Sequence, residues 1–331
     1  MSGKFRVGII GAGFIGEVHI QASQPLPDVE IAAVCEIDEA RLAEIKNQYQ
    51  IPAAFTDVNE MFRSVELDGV LIATPDHLHL EPVKAAVKAN VPFLLEKPIA
   101  TTPEDAEAIL KLAEESGLPA LQGLSIHFNP TYRKVRQRWL TGEFGAAHTV
   151  YDARIINISE AQRFKGRCSV DQYVGCHDFH FLLSVLGPDV ESIYAQKTLS
   201  RAYEETGEAD SYWHLLRWKS GAAASVLITW GMPAAFGLVE DTLFMIGSKG
   251  SAEKLRDDSY RFITDEVDEK IEADPNLSGY EEYADQMLHF ADIVLNGAKP
   301  EVSIRDGMRA QKLVWAAEES IKLGRPVEVA L

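Results

Sequence analysis

Cys176, His177, Asp178 and His180 stand within one short run, CHDFH. An imidazole titrates close to working pH, so His177 can take the proton of a substrate hydroxyl. His177, His180 and Ser184 recur at steps of three and four, while Phe179, Leu182, Leu183 and Leu186 recur likewise on another face. The spacing predicts a helix over 178–186 with an apolar stripe toward the core and its histidines directed elsewhere. For both histidines a bond to neighbouring backbone is the competing reading. The four side chains are also metal-ligand types, but no third ligand identifies itself elsewhere, and no metal is expected.

A second group is Glu96–Lys97–Pro98, set between apolar Leu94, Leu95 and Ile99. A cation there can hydrogen-bond a substrate hydroxyl and stabilise the alkoxide that precedes hydride departure. The competing reading is a lysine whose stem covers apolar surface at a strand end. The run Ala73–Thr74–Pro75–Asp76–His77–Leu78–His79 ends another apolar segment. Thr74, Pro75, His79, Glu96 and Lys97 thus fall at the carboxyl ends of parallel strands, where open α/β sheets bind ligands, and are expected around the cofactor.

Gly11–Ala12–Gly13–Phe14–Ile15–Gly16 follows the apolar run Phe5 to Ile10 and opens a helix-like segment. Glycines are common, and the pattern gains force only from that context. Gly11 permits a tight turn, Gly13 lets backbone approach a pyrophosphate, and Gly16 lets helix and strand pack closely; Phe14 and Ile15 complete the turn. Glu36 lies about twenty residues beyond Gly16, at the end of the next strand. A carboxylate there accepts bonds from a ribose diol and repels a 2′-phosphate, so NAD is favoured over NADP, although Arg41 offers a phosphate some relief.

The elements that must position these groups change character along the chain. Phe5 to Ile10, Val29 to Val34, Gly69 to Ala73, Val91 to Leu95 and Leu118 to Leu121 read as strands. Phe14 to Ala22, Asp38 to Tyr49, Leu80 to Ala89 and a segment from Thr102–Pro103 to Gly117 read as helices between them. Such alternation means a doubly wound parallel sheet. After about Gly123, a helix over Thr131 to Leu140 is followed by β-rich segments at 149–158, 192–198, 211–218, 222–230 and 242–246. With few helices between the last of these, the second sheet should be largely antiparallel. Helices at Tyr283 to Leu295 and Ile304 to Leu323 close the chain. The expected organisation is an α/β Rossmann domain over residues 1–123 and an α+β substrate and oligomerisation domain over 124–331. Near the junction, Asn129 reads as a helix cap and His127 as a substrate-side or helix-leading residue.

At 331 residues two domains are natural, and 46% hydrophobic with 25% charged residues is an ordinary globular composition. The formal charge of −18 makes nucleic acid and anionic membrane poor partners and reads as solubility. Three cysteines without C-x-x-C spacing, no secretory-type leader after Met1, and no long apolar run point to the cytoplasm.

Taken together, GAGFIG, ATPDHLH, LLEKPIA, HFNPTYRKVRQRWLTGEFG, CHDFHFLLSVLG and HFADIVLNGAKPEVSIRDG give the chain its resemblance, over essentially its whole length, to the glucose–fructose oxidoreductase / inositol dehydrogenase / MocA-like family. The resemblance implies a Rossmann domain plus an open antiparallel sheet that builds homodimers or homotetramers. It also implies an NAD(P)-dependent dehydrogenase of sugars, inositols or related polyols, with Lys97 as catalytic lysine and His177 as catalytic histidine. Many members place an Asp four residues before that histidine, where this chain has Tyr173; the nearest upstream acid, Asp171, sits six positions away and off its helical face. Tyr173 and Asp171 are the candidates to assist His177, and His127, Asn129 and His180 to line a substrate subsite. The displaced Asp leaves a second reading open, a non-catalytic NAD-binding sensor or partner-binding protein on the same fold.

Overall fold

The apolar runs of the first third become largely buried strands, joined by one half-buried edge strand: β1 (Phe5–Ile10), β2 (Val29–Cys35), the edge strand β3 (Ala53–Phe55), β4 (Gly69–Ile72), β5 (Phe93–Glu96) and β6 (Ala120–Gly123). The computed structural model describes residues 4–237, 239–277 and 279–331. These six strands pair in parallel in the order β3-β2-β1-β4-β5-β6. The order reverses between β1 and β4, the switch point at which such sheets bind ligands. The connecting helices are α1 (Phe14–Ser23), α2 (Glu39–Tyr49), α3 (Val58–Ser64), α4 (Leu80–Ala89) and α5 (Pro103–Ser116). Their ends follow the side chains read above: Asp38 caps α2, accepting from the amides of Ala40 and Arg41, and Thr102 caps α5 ahead of Pro103, with Gly117 left-handed at its end.

The remaining chain supplies α6 (Pro130–Leu140), β7 (Ala147–Asn157), α7 (Ile158–Phe164), α8 (Cys176–Leu186), β8 (Val190–Thr198), α9 (Arg201–Thr206), β9 (Ser211–Trp218), β10 (Ala223–Met232), β11 (Val239–Gly247), β12 (Gly250–Lys254), β13 (Tyr260–Thr264), β14 (Asp268–Ile271), α10 (Glu281–Asn296), α11 (Ile304–Leu323) and β15 (Val327–Glu328). The nine strands run β14-β13-β12-β11-β7-β10-β9-β8-β15. They pair antiparallel except at the centre, where β7 and β10 are parallel. Alternation is clean on β9, where Tyr212, His214, Leu216 and Trp218 are buried while Trp213 and Leu215 face out.

By its contacts the chain forms two compact units, residues up to Phe128 with Leu277–Met308, and Asn129–Asn276 with Arg309–Leu331. The second unit is therefore not the contiguous stretch 124–331 expected from the sequence. Helix α10 belongs to the first unit because its apolar stripe of Met287, Phe290, Ala291 and Ile293 is buried there, with Phe290 set edge-on to Phe5 at 5.5 Å. Among the described residues no helix is long and apolar enough to cross a membrane.

Candidate active site

In the first unit the glycine turn joins β1 to α1. Gly11 has φ +91, and a Cβ there would lie 2.7 Å from the Ala73 backbone, so both conformation and space demand glycine. A Cβ on Gly16 would meet the Gly11 carbonyl at 2.1 Å, which is the close packing of helix on turn. Around Gly13 nothing lies within 4 Å of a built Cβ, and Gly13 caps α1 without a side-chain bond. The α1 N-terminus thus presents backbone N–H groups beside open space, flanked by exposed Phe14, an arrangement that suits phosphate oxygens. Ile15 lies half-buried between them.

Glu36 reaches over this turn from the end of β2. One of its oxygens accepts the Ala12 amide at 2.8 Å and the other accepts that of Asp38 at 3.1 Å. Arg41 is committed locally: its Nε donates to the Ala12 carbonyl at 2.9 Å, and its terminal nitrogens pair with Glu44 at 2.9 Å and Glu17 at 2.5 Å. Thr74 and Pro75 follow β4. His79, almost wholly buried, lies 3.0 Å from the Thr74 carbonyl and 3.3 Å from that of Ile99, so it braces the loop after β4 against the loop after β5. Burial pushes its pKa down, against the two carbonyls, which pull it up.

At the end of β5 the Glu96 carboxylate folds back to accept the Lys97 amide at 3.0 Å. Its other oxygen lies 2.7 Å from Nε2 of His19, a fully buried residue of α1. Gln122 on β6 donates to the Leu95 carbonyl at 2.9 Å and that of Glu96 at 3.2 Å. The lysine therefore leaves a strand end whose backbone is fixed on both sides. His127 is buried in this unit, with Nε2 3.2 Å from Glu301.

In the second unit, Asp171–Gly175 forms a single π-helical turn that runs into α8. Helix α8 is buried from Cys176 through Leu183, so His177 and His180 are enclosed along with the expected apolar stripe. Beneath the helix, Asp178 takes a forked bond from Arg154 of β7, Nε to Oδ2 at 2.9 Å and the terminal nitrogen to Oδ1 at 2.6 Å. Arg154 also reaches Asp241 at 3.2 Å, and Asp241 accepts from Tyr132 at 2.8 Å and pairs with Lys254. Asp152, fully buried beside Asp178 and Asp241, has its pKa pushed well up, by burial first and by those two carboxylates next.

Asp171 is also fully buried, and both its oxygens lie 3.2 Å from Nε2 of His214 on β9. His214 in turn holds the Val226 carbonyl at 3.2 Å through Nδ1. Tyr173 packs on Phe164 with ring centroids 4.5 Å apart, and Arg163 donates to its hydroxyl at 3.3 Å. Burial raises the Tyr173 pKa to about 12. Asn129 caps α6, accepting from Thr131 at 3.1 Å and Tyr132 at 3.4 Å. Sequence reasoning missed His19, Gln122, Arg154, Asp241, Lys254 and His214. Each earns its place through a partner distant in sequence, and only the nearness of His19 to the glycine turn, three residues after Gly16, could have hinted at it.

Residues 5–123 match the model of an oxidoreductase family with an NAD-binding Rossmann fold, and residues 170–329 match that family's C-terminal alpha/beta domain. The chain is 26% identical to a myo-inositol 2-dehydrogenase of Thermotoga maritima, over 98% of each chain. It is 27% identical to an inositol 2-dehydrogenase of Rhizobium meliloti, covering 98% of this chain and 99% of that one. Among solved structures, an oxidoreductase from Agrobacterium radiobacter in complex with NAD+, L-tartaric acid and magnesium superimposes with a TM-score of 0.90 at 22% identity, over 98% of each chain.

Proposed function

Because the chain belongs to the glucose–fructose oxidoreductase / inositol dehydrogenase / MocA family, we propose that it interconverts a secondary alcohol and a ketone on a sugar, inositol or related polyol. It is a nicotinamide-dependent dehydrogenase acting on CH–OH groups. The observation that carries the finer reading is the end of β5, where Lys97 follows a strand terminus pinned by Glu96 and Gln122 at the ligand-binding edge of the sheet. Lys97 polarises the reacting oxygen, and His177 moves its proton.

The glycine turn would hold the cofactor phosphates at the N-terminus of α1, with Glu36 toward the ribose and the loops at Thr74–Pro75 and Glu96–Lys97 along the nicotinamide half. When bound, that group supplies the hydride acceptor. NAD is favoured over NADP, since Glu36 stands over the turn and Arg41 is engaged by two carboxylates. Tyr173 and Asp171 support His177 from its own unit, and His127, Asn129 and His180 contribute to the polyol subsite. Homodimers or homotetramers form through the open face of the second sheet, in the cytoplasm.

The test is a panel of sugars, sugar acids and inositols assayed for NADH formation with wild type and Lys97→Ala. The variant should lose about two orders of magnitude or more in turnover on the best substrate while keeping near-normal NAD affinity. Loss of NAD binding along with turnover makes Lys97 structural, and no turnover by wild type across the panel returns the reading to a nucleotide sensor.

A further inference from the structure

His19 is fully buried on α1, three residues beyond the glycine that presses this helix onto the turn, and its Nε2 lies 2.7 Å from Glu96. Its partner is no ordinary core group. Glu96 is itself buried, lies 77 residues away, and uses its second oxygen to hold the Lys97 amide at 3.0 Å. A buried carboxylate is costly unless its bonds are made, and here one is made to an imidazole and one to the backbone of the lysine. Nδ1 of His19 has no hydrogen-bond partner among the described residues, so the Nε2–Glu96 bond is the polar contact that orients this ring. The Tyr283 ring meets it edge-on at 5.0 Å and limits rotation.

Gln122 fixes the carbonyls of Leu95 and Glu96, and the second of these shares a peptide with the Lys97 amide, so Gln122 holds that peptide at its oxygen and the Glu96 carboxylate holds it at its N–H. The N–H side of that peptide depends on the Glu96 carboxylate, and the carboxylate is held by His19. We propose that His19 is a positioning residue, which through Glu96 ties the placement of Lys97 to the helix whose N-terminus grips the cofactor. The proposal rests on the reading of Lys97 as the lysine that polarises substrate. A shift of the lysine by about 1 Å is enough to cost about a hundredfold in rate, so a residue that touches neither substrate nor cofactor can govern turnover.

The experiment compares His19→Ala, His19→Asn and His19→Gln with wild type in two measurements. The first uses no substrate: the rate at which trinitrobenzenesulfonate modifies Lys97, read by peptide mass spectrometry against the other lysines. The second is kcat and KM on the best substrate of the panel, with NAD affinity measured separately by fluorescence. Released from its carboxylate brace, Lys97 in His19→Ala should react about fivefold faster, and kcat should fall about tenfold or more with NAD affinity within about threefold. His19→Asn, too short to reach Glu96, should behave the same way and serves if the alanine variant does not fold. His19→Gln, which can extend an amide N–H to Glu96, should restore much of both values. A folded Ala or Asn variant with wild-type Lys97 reactivity and kcat overturns the proposal, as does a Gln variant no better than Ala. If Lys97→Ala proves fully active, the reading of Lys97 fails instead, whereas the reactivity measurement still reports on His19.

Discussion

Glu36 shows how much one side chain decides and how that decision is read. Its carboxylate stands at the Ala12 amide, and Arg41, a cation that would welcome a 2′-phosphate, is already bonded to Glu17 and Glu44. Glu36→Ala should therefore narrow the preference for NAD over NADP by about tenfold or more, seen as the ratio of the two kcat/KM values; an unchanged ratio removes Glu36 from cofactor selection. His79 gives a second outcome, in stability. Its folded pKa is lowered by burial, so between the ordinary value near 6.5 and the lower folded value the unfolded chain binds the extra proton. Stability from this site is present above about pH 6.5 and is lost as pH falls below it. The urea midpoint of wild type should drop over that interval, and His79→Gln should flatten the drop. At this scale the legible residues were those inside short motifs: the three glycines, Glu36, Glu96 and Lys97. His19, Arg154 and His214 were not legible, because what makes each of them matter is a partner 77, 24 or 43 positions away.

Helix α8 carries His177 and His180, and its hold on the sheet is electrostatic as much as apolar. Arg154 and Asp178 are both nearly inaccessible, and removing the cation leaves a carboxylate buried without its pair. Arg154→Met should cost about 3–5 kcal/mol in the urea unfolding free energy, and adding Asp178→Asn should recover part of it. Equal loss in the single and double variants would show that the fork contributes only packing. The sequence located α8, α11 and β9 closely because a strong apolar period, or strict alternation, runs through each. It lost β12 and β14, GSAEK and DEKI, since these are short and polar, and held in place by their neighbours. The π turn at 171–175 escaped for a related reason: one additional residue in a turn breaks the very period by which helices are recognised. Asp171 opens that turn, and its carboxylate is engaged with His214.

For the molecule as a whole, the nine-stranded sheet leaves an outward row of large side chains. Trp213 is 42% exposed, Leu215 55% and Tyr151 39%, and the register sets Leu215 and Tyr151 on either side of Ser225. An apolar row on a central part of a sheet suits a second copy of the chain. Leu215→Glu should lower the sedimentation coefficient toward that of one chain while leaving the circular dichroism unchanged, and a wild type that already sediments as a single chain disposes of the idea. Alternating elements revealed the parallel sheet, and β-richness revealed the second one. The assumption that a domain is a contiguous stretch hid the return of residues 277–308, since nothing in a local window tells α10 which sheet its stripe will cover.

That return has a consequence for how the protein comes into being. A ribosome delivers residues in order, and all six strands of the parallel sheet have emerged well before Phe290, the ring set against Phe5. The nucleotide-binding unit is finished only when Met308 has cleared the exit tunnel, and by then most of the other unit has been made. The first part synthesised is thus among the last completed. Until α10 is made, the apolar surface around Phe5 and Gly69 lacks the ring of Phe290 that packs on it, which makes an N-terminal fragment ending before this helix a poor surrogate for the cofactor-binding half.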